Sequence, residues 1–263
     1  MKNTGTPVII DELLTFLFDG QDHPLAAPMG AWLTSSRRFT NFVTTFRDKI
    51  RKKVRITQDR ETLFDLQLEL ETAYLLLREK SFSLIYEPEH SQGGRNPDFA
   101  VTFTTSLTFM LEVTRLRTAQ RKSSAEIQPM SPSEIASPLS AMADTLADTV
   151  CSKLGQLRAQ RSNVFIVGVQ SLSLTPRDLQ AALQRVQQRA EGNDAKLMQR
   201  YGFRNRPDFF GHYQRLSEIL VRGAQLQGAE SVVTWVNPQA KHSLPSKVRT
   251  ALHNSHILNP QLA

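Results

Sequence analysis

The fold class this sequence predicts is α/β, a sandwich of helices around a mixed sheet, and three observations predict it. Helical spacing of apolar residues runs to about Arg78 and then gives way to a period of two. Three short strand-like runs follow in a row between 81 and 116, which implies an antiparallel meander. A nearly unbroken apolar run, NVFIVGVQS (163–171), stands alone between two helical stretches and reads as a buried central strand.

The elements follow in order. Val8 to Phe18 is a short, mostly apolar stretch, and Gly20, Pro24, Pro28 and Gly30 make the sequence after it turn-rich. Residues 38–54 read as a basic helix, with Phe39, Phe42 and Phe46 at helical spacing on its core side. A longer helix covers Arg60 to Arg78, because Leu63, Leu66, Leu70, Ala73 and Leu77 recur at steps of three and four. SFSLIYEP (81–88) alternates and is rich in aromatic and β-branched residues, so it reads as a strand. HSQGGRN is a turn, PDFAVTF a second strand, TTS a tight connection and LTFMLEVTRL a third strand. The Ser- and Pro-rich residues 117–138 read as a surface loop beside the third strand. A helix is expected over 140–161, and another from the Thr175–Pro176 cap to Glu191. RYGFRNRPDFF is expected as a basic, aromatic loop, 211–224 as a helix, SVVTWVNP as a strand and SLPSKVRTALHNS as a closing helix. The chain of 263 residues divides on this reading into an N-terminal extension (1–59), a core (60–171) and α/β additions packed on it (172–263).

Composition narrows the function classes. No apolar run is long enough to span a bilayer, so no membrane partner is expected. The start of the chain lacks an extended apolar region and does not read as a signal peptide. The single cysteine, Cys151, cannot close an intrachain disulfide and suits a reducing cytoplasm, the expected location. One cysteine and scattered histidines leave no Cys-rich zinc site, and GGRNPD lacks the ending of a phosphate-binding loop. A net charge of +7 suits a polyanion. The cations gather between Arg37 and Arg60, opposed only by Asp48 and Asp59. That run reads as a solvated helix face, or as one that also grips phosphates through Arg51, Lys52 and Lys53.

The chemistry concentrates in NPDFAVTF and TFMLEVTRLR. Asp98 heads the second strand and Glu112 stands near the end of the third. In an antiparallel pair a start and an end share one edge of the sheet, so the two carboxylates can converge on one cation. Alternation places Asp98, Ala100 and Thr102 on one face, and Met110, Glu112 and Thr114 likewise. Glu112 lies in an apolar context, and an anion drawn out of water needs a cation.

A helix with ELETAYLLL, a strand, PDF, a strand ending LEVTRL, a helix containing KLGQL and an apolar strand resemble the PD-(D/E)XK (restriction-endonuclease-like) superfamily over about residues 60–171. The resemblance implies an αβββαβ core, Mg²⁺ or Mn²⁺ as cofactor, and hydrolysis of phosphodiesters, in DNA more than RNA, in restriction, repair or anti-phage defence. It implies Asp98 and Glu112 as metal-binding acids, with the Val113 carbonyl beside them. Glu69 or Glu71 would supply a helix acid, and Glu69, beside the buried stripe, is preferred. Thr114 stands where active members usually carry lysine, and threonine cannot supply that charge. The implied substitutes are Lys153, in the next helix, and Gln156, one turn further on. Arg115, Arg117, Arg204 and Arg206 would join the basic stretch in contacting phosphates. The alternative reading is an inactive nuclease fold that binds nucleic acid or assembles with protein. A homodimer, or a partner encoded by a neighbouring gene, also fits the pattern.

Overall fold

The computed structural model describes residues 5–57, 59–88, 96–116, 138–169, 174–223 and 232–256. It is α/β, with six strands of mixed sense and helices around them. The chain divides into two compact units, one of residues 1–115 with Ser246–His256, the other of Leu116–Pro245 with Ile257–Ala263. Most of the HSQGGRN turn and of the 117–138 loop lies outside the described residues.

The first unit opens with helices α1 (Gly5–Phe18), α2 (Ala26–Ser35), α3 (Arg37–Ile56) and α4 (Arg60–Arg78). Ser36 starts α3 by accepting the Phe39 N–H at 3.2 Å, and Asp59 starts α4 by accepting those of Glu61 and Thr62. A kink at Phe46 (φ −107°, ψ 16°) breaks α3 in its middle. Along α4, Leu66, Leu70, Ala73 and Leu77 are buried as their spacing predicts, but so are Leu68, Thr72, Leu75 and Leu76. This helix is therefore covered on more than one side. The covering comes from α3, from the strands, and from the closing helix Ser246–His256.

Three strands complete the unit: β1 (Phe82–Tyr86), β2 (Phe99–Phe103) and β3 (Leu107–Arg115). They form the expected antiparallel meander, with Tyr86 opposite Phe99 and Phe99 opposite Leu111. Phe82, Tyr86, Phe99, Val101, Phe109 and Leu111 share the buried face. From α3, Phe42 packs on this face, 5.8 Å from the Tyr86 ring and 6.4 Å from that of Phe99. Arg38, at the start of α3, donates to the carbonyls of Leu77 and Glu79 at 2.7 Å each and also to that of Phe82. It thereby donates to three backbone carbonyls left over where α4 ends and β1 begins.

The second unit starts with α5 (Pro138–Lys153), which tightens into a 3₁₀ turn at Leu154–Gln156 rather than running to 161. Its strands are β4 (Asn163–Val169), β5 (Leu216–Gly223) and β6 (Val232–Val236). β4 and β5 pair parallel and are buried throughout, while β6 pairs antiparallel with β5. Between them lie α6 (Pro176–Glu191), α7 (Ala195–Tyr201) and α8 (Arg206–Tyr213), and α9 is the closing helix Ser246–His256 of the first unit. Thr175 and Asp178 form a full capping box at the start of α6, with Pro176 in its first turn.

Two expectations fail in this unit. Residues 206–210, the end of the expected loop, are helical as the start of α8: Asn205 caps it by accepting the Asp208 N–H at 3.0 Å, and a proline sits in the first turn. Most of the expected helix 211–224 is strand β5. Leu216, Ile219 and Leu220 satisfy helical spacing, and Glu218 and Arg222 look like a solvated pair four residues apart. Both are instead about 1% exposed, and the whole segment is buried beside β4, a context that overrides the local period.

Candidate functional site

The register of the meander builds the site. Extending the β2–β3 pairing past Phe99–Leu111 sets Asp98 opposite Glu112 and Pro97 opposite Val113. Extending the β1–β2 pairing sets Glu87 opposite Asp98, and the Glu87 N–H donates to the Asp98 carbonyl at 2.9 Å. Glu87, Asp98 and Glu112 thus form one row across three strands. Glu87 has a positive φ of 43°, in the left-handed region that non-glycine residues seldom occupy. Strain of that kind persists only where the surroundings hold it.

Each carboxylate has a distinct setting. Asp98 Oδ2 accepts the Val113 N–H at 2.7 Å. Pro97, opposite Val113, has no N–H to return to the Val113 carbonyl, so the ladder supplies no donor there. Glu112 is only 6% exposed and has interactions of its own. Glu69, from the second half of α4, has a side chain 12% exposed and receives a hydrogen bond from Lys53 Nζ at 2.6 Å. Lys53 Nζ also lies 2.9 Å from Glu87 Oε1 and 4.9 Å from the centre of the Tyr86 ring. Lys49 adds hydrogen bonds to the Glu87 carbonyl at 2.9 Å and the Tyr86 carbonyl at 3.3 Å, holding the end of β1.

The electrostatics follow from this crowding. Burial pushes the Asp98 carboxyl well above the ordinary carboxylate range, and the charges of Glu112 and Glu69 push it the same way. The Val113 N–H and Lys53 oppose that shift without cancelling it. For Lys53, burial is the largest influence and works against its charge. Glu69, Glu87 and Asp98 together outweigh it, so its pKa stands above the usual lysine value. Burial also raises the Tyr86 phenol well above its usual value, with Glu69, Glu87 and Asp98 adding to the effect. Tyr86 is fully buried, with the Glu69 carboxylate beside its hydroxyl.

The first unit therefore brings together Asp98, Glu112, Val113 and Glu69. It adds Lys53, Glu87 and Tyr86, which sequence reasoning did not place there. The signal for Lys53 was available: it lies seven, eleven and fourteen residues after Phe46, Phe42 and Phe39, on their own stripe. Glu87 was readable as well, since an antiparallel hairpin that starts β2 at Asp98 ends β1 beside it.

The other expected residues have these settings. Lys153 closes α5 and Gln156 closes the 3₁₀ turn, both half-buried in the second unit. Three residues per turn keep these two on one side. Gln156 Oε1 is buried and makes no hydrogen bond. Arg51, expected on phosphate, is paired with Asp19 and lies over the Phe16 ring, 4.4 Å from its centre. Lys52 is exposed. Arg115 is paired with Glu61 and, at 3.1 Å, with Asp65 of α4, and its side chain is 10% exposed. Arg117 lies outside the described residues. Arg204 pairs with Asp208 at 3.3 Å, and Arg206 lies 5.9 Å from the Phe210 ring centre. Arg204, Asp208, His212 and Arg215 border an open cleft of about 420 Å³ in the second unit.

Among the described residues no group of three or more histidine, cysteine, aspartate or glutamate side chains has the geometry to hold a metal ion, and no helix is long and apolar enough to cross a membrane. The chain matches no protein-family model, no curated protein and no solved structure.

Proposed function

We propose that the chain is a divalent-metal-dependent nuclease of the restriction-endonuclease-like class, acting on DNA more than RNA. The observation that carries the reading is the row of Asp98 and Glu112 across β2 and β3, with Glu69 from α4 behind it. The order α4, β1, β2, β3, α5, β4 supports it, since it is the αβββαβ order of that superfamily.

The donor set suits a hard cation. Asp98, Glu112 and the Val113 carbonyl are the groups that would hold Mg²⁺ or Mn²⁺. Two carboxylates and a carbonyl are enough for Mg²⁺, which keeps several of its waters. The raised pKa of Asp98 fits as well: burial disfavours its anion most, and the charges of Glu112 and Glu69 add to that. A bound ion would supply charge neutralisation at the phosphoryl oxygens and a more acidic water. The chain's own residues do the positioning. The Val113 N–H fixes one Asp98 oxygen, β3 fixes Glu112, and Lys53 holds Glu69 toward the row.

The test is cleavage of supercoiled and linear DNA and of single-stranded RNA, with Mg²⁺ or Mn²⁺, by wild type, Asp98→Ala and Glu112→Ala. Wild type is expected to cut, and each variant to lose about 100-fold or more in rate, on the scale of one electrostatic transition-state contact. Equal activity in all three removes the proposal.

A further inference from the structure

The residue at the position after LEV is Thr114, which has no charge to set against a phosphate. We infer that Lys53, delivered from α3, supplies the positive charge of this site and acts as a catalytic residue on the scissile phosphate. The inference rests on the nuclease reading and names a residue that the sequence pattern does not.

Three observations point to Lys53. Its ammonium stands among acids from three elements, 2.6 Å from Glu69 of α4 and 2.9 Å from Glu87 after β1, and it acts on Asp98 at the head of β2. Those two contacts use two of its three N–H donors, so one is left for a ligand. The side chain is 23% exposed, which leaves that donor open to one. Beside it, the ring of fully buried Tyr86 lies 4.9 Å from the ammonium and helps to hold it in place. A non-bridging oxygen of a phosphodiester can accept from the remaining N–H donor of Lys53.

The role is electrostatic. In hydrolysis the water oxygen bonds to phosphorus and the bond from phosphorus to the leaving oxygen breaks. The attacking water gives up a proton to solvent, and the leaving oxygen takes one up from solvent. Lys53 gains and loses no proton. It faces the charge that accumulates on the non-bridging oxygens, as a preorganised cation should. Its geometry is fixed beforehand by Glu69, Glu87 and the Tyr86 ring, so little reorganisation is needed.

The experiment compares wild type, Lys53→Met and Lys53→Arg in the full chain, measuring kcat and KM on DNA, Mn²⁺ binding and thermal midpoint. Lys53→Met keeps the aliphatic stem on Tyr86 and removes the charge. Its kcat is expected to fall about 100-fold or more, with KM within a few-fold and Mn²⁺ bound at least as tightly as by wild type. Lys53→Arg is expected to recover part of the lost kcat. Wild-type kcat in Lys53→Met overturns the inference and leaves the nuclease reading standing. So does a loss of kcat that tracks loss of Mn²⁺ binding and of thermal midpoint, with no recovery in Lys53→Arg. Absence of cleavage by wild type overturns the nuclease reading and this assignment with it.

Discussion

Helix α3 carries cations to two groups of carboxylates, and the two respond in opposite ways. On one side Arg55 and Arg51 converge on Asp19, an exposed residue, and hold its carboxyl down to about 2. On the other, a single lysine meets Glu69 and Glu87 with Asp98 and Glu112 behind them, and Asp98 is pushed up. The chemistry of the pairs is similar. What differs is the ratio of charges and the water around them. Two cations to one exposed anion is a surface clasp, whose contribution to stability is modest. One lysine shared among partly buried carboxylates leaves the Asp98 anion disfavoured, chiefly by burial, and such an arrangement costs stability unless something else binds. The second pattern is the one expected of a site.

The contrast can be broken by experiment. The largest effect is expected from Asp98→Asn, which removes a charge from the crowded row and keeps an acceptor for the Val113 N–H. A carboxyl with a raised folded-state pKa binds its proton more tightly in the folded chain. The stability this gives is present below the unfolded pKa of about 4 and is lost as pH rises through the folded value. Asp98→Asn should therefore melt higher than wild type at neutral pH, by about 2–4 °C for each kcal/mol relieved in a chain of this size. That advantage should shrink as the pH is lowered toward 4. Added Mn²⁺ should raise the melting point of wild type and leave the variant nearly unchanged. Calorimetry across pH checks all three outcomes, and a destabilised Asp98→Asn at neutral pH would show that the row is balanced as it stands.

A smaller effect is expected at Tyr86. Tyr86→Phe removes a fully buried hydroxyl beside Glu69, so stability should change by no more than about 1 kcal/mol in either direction. Its Oη is too deeply buried to touch a substrate, so cleavage should be unchanged, and chemical denaturation beside a rate measurement checks both outcomes. The smallest effect belongs to Asp19→Asn. A depressed pKa gives stability that is present above the unfolded value and is lost as pH falls through about 2, so the variant should differ little from wild type at neutral pH. What difference there is should vanish in high salt. A large, salt-insensitive loss would mean that the two sides of α3 are less different than their surroundings imply.

Much of this arrangement was readable in the sequence, and the gaps have physical causes. The ends of α4 and the Thr175 cap were legible because capping side chains act locally. The meander was legible from the change of period, and Asp98 and Glu112 from where each sits along its strand. The segment 216–223 was misread because its apolar spacing fits both periods, and only burial beside β4 decides between them. Lys53 was read only as one member of a phosphate-gripping face, and its place among the acids was missed, for a different reason. A run of cations invites treatment as one solvated face, yet helical spacing sends its members in several directions. Arg38, Lys49 and Lys53 turn toward backbone carbonyls and acids, while Lys52 stays exposed. Reading a charged run residue by residue against its apolar stripe would have found the lysine.

Arg38 carries a consequence for how the first unit opens and closes. Its guanidinium binds the last carbonyls of α4 and the first of β1, so neither end can fray alone without stranding that group. The seam that usually melts first in a helix-to-strand connection is stitched to a third element. Excursions that expose the carboxylate row must then proceed as one cooperative opening, with the start of α3 lifting together with the α4–β1 joint. The acids are kept in place by a clasp at the far end of β1 as much as by their own neighbours.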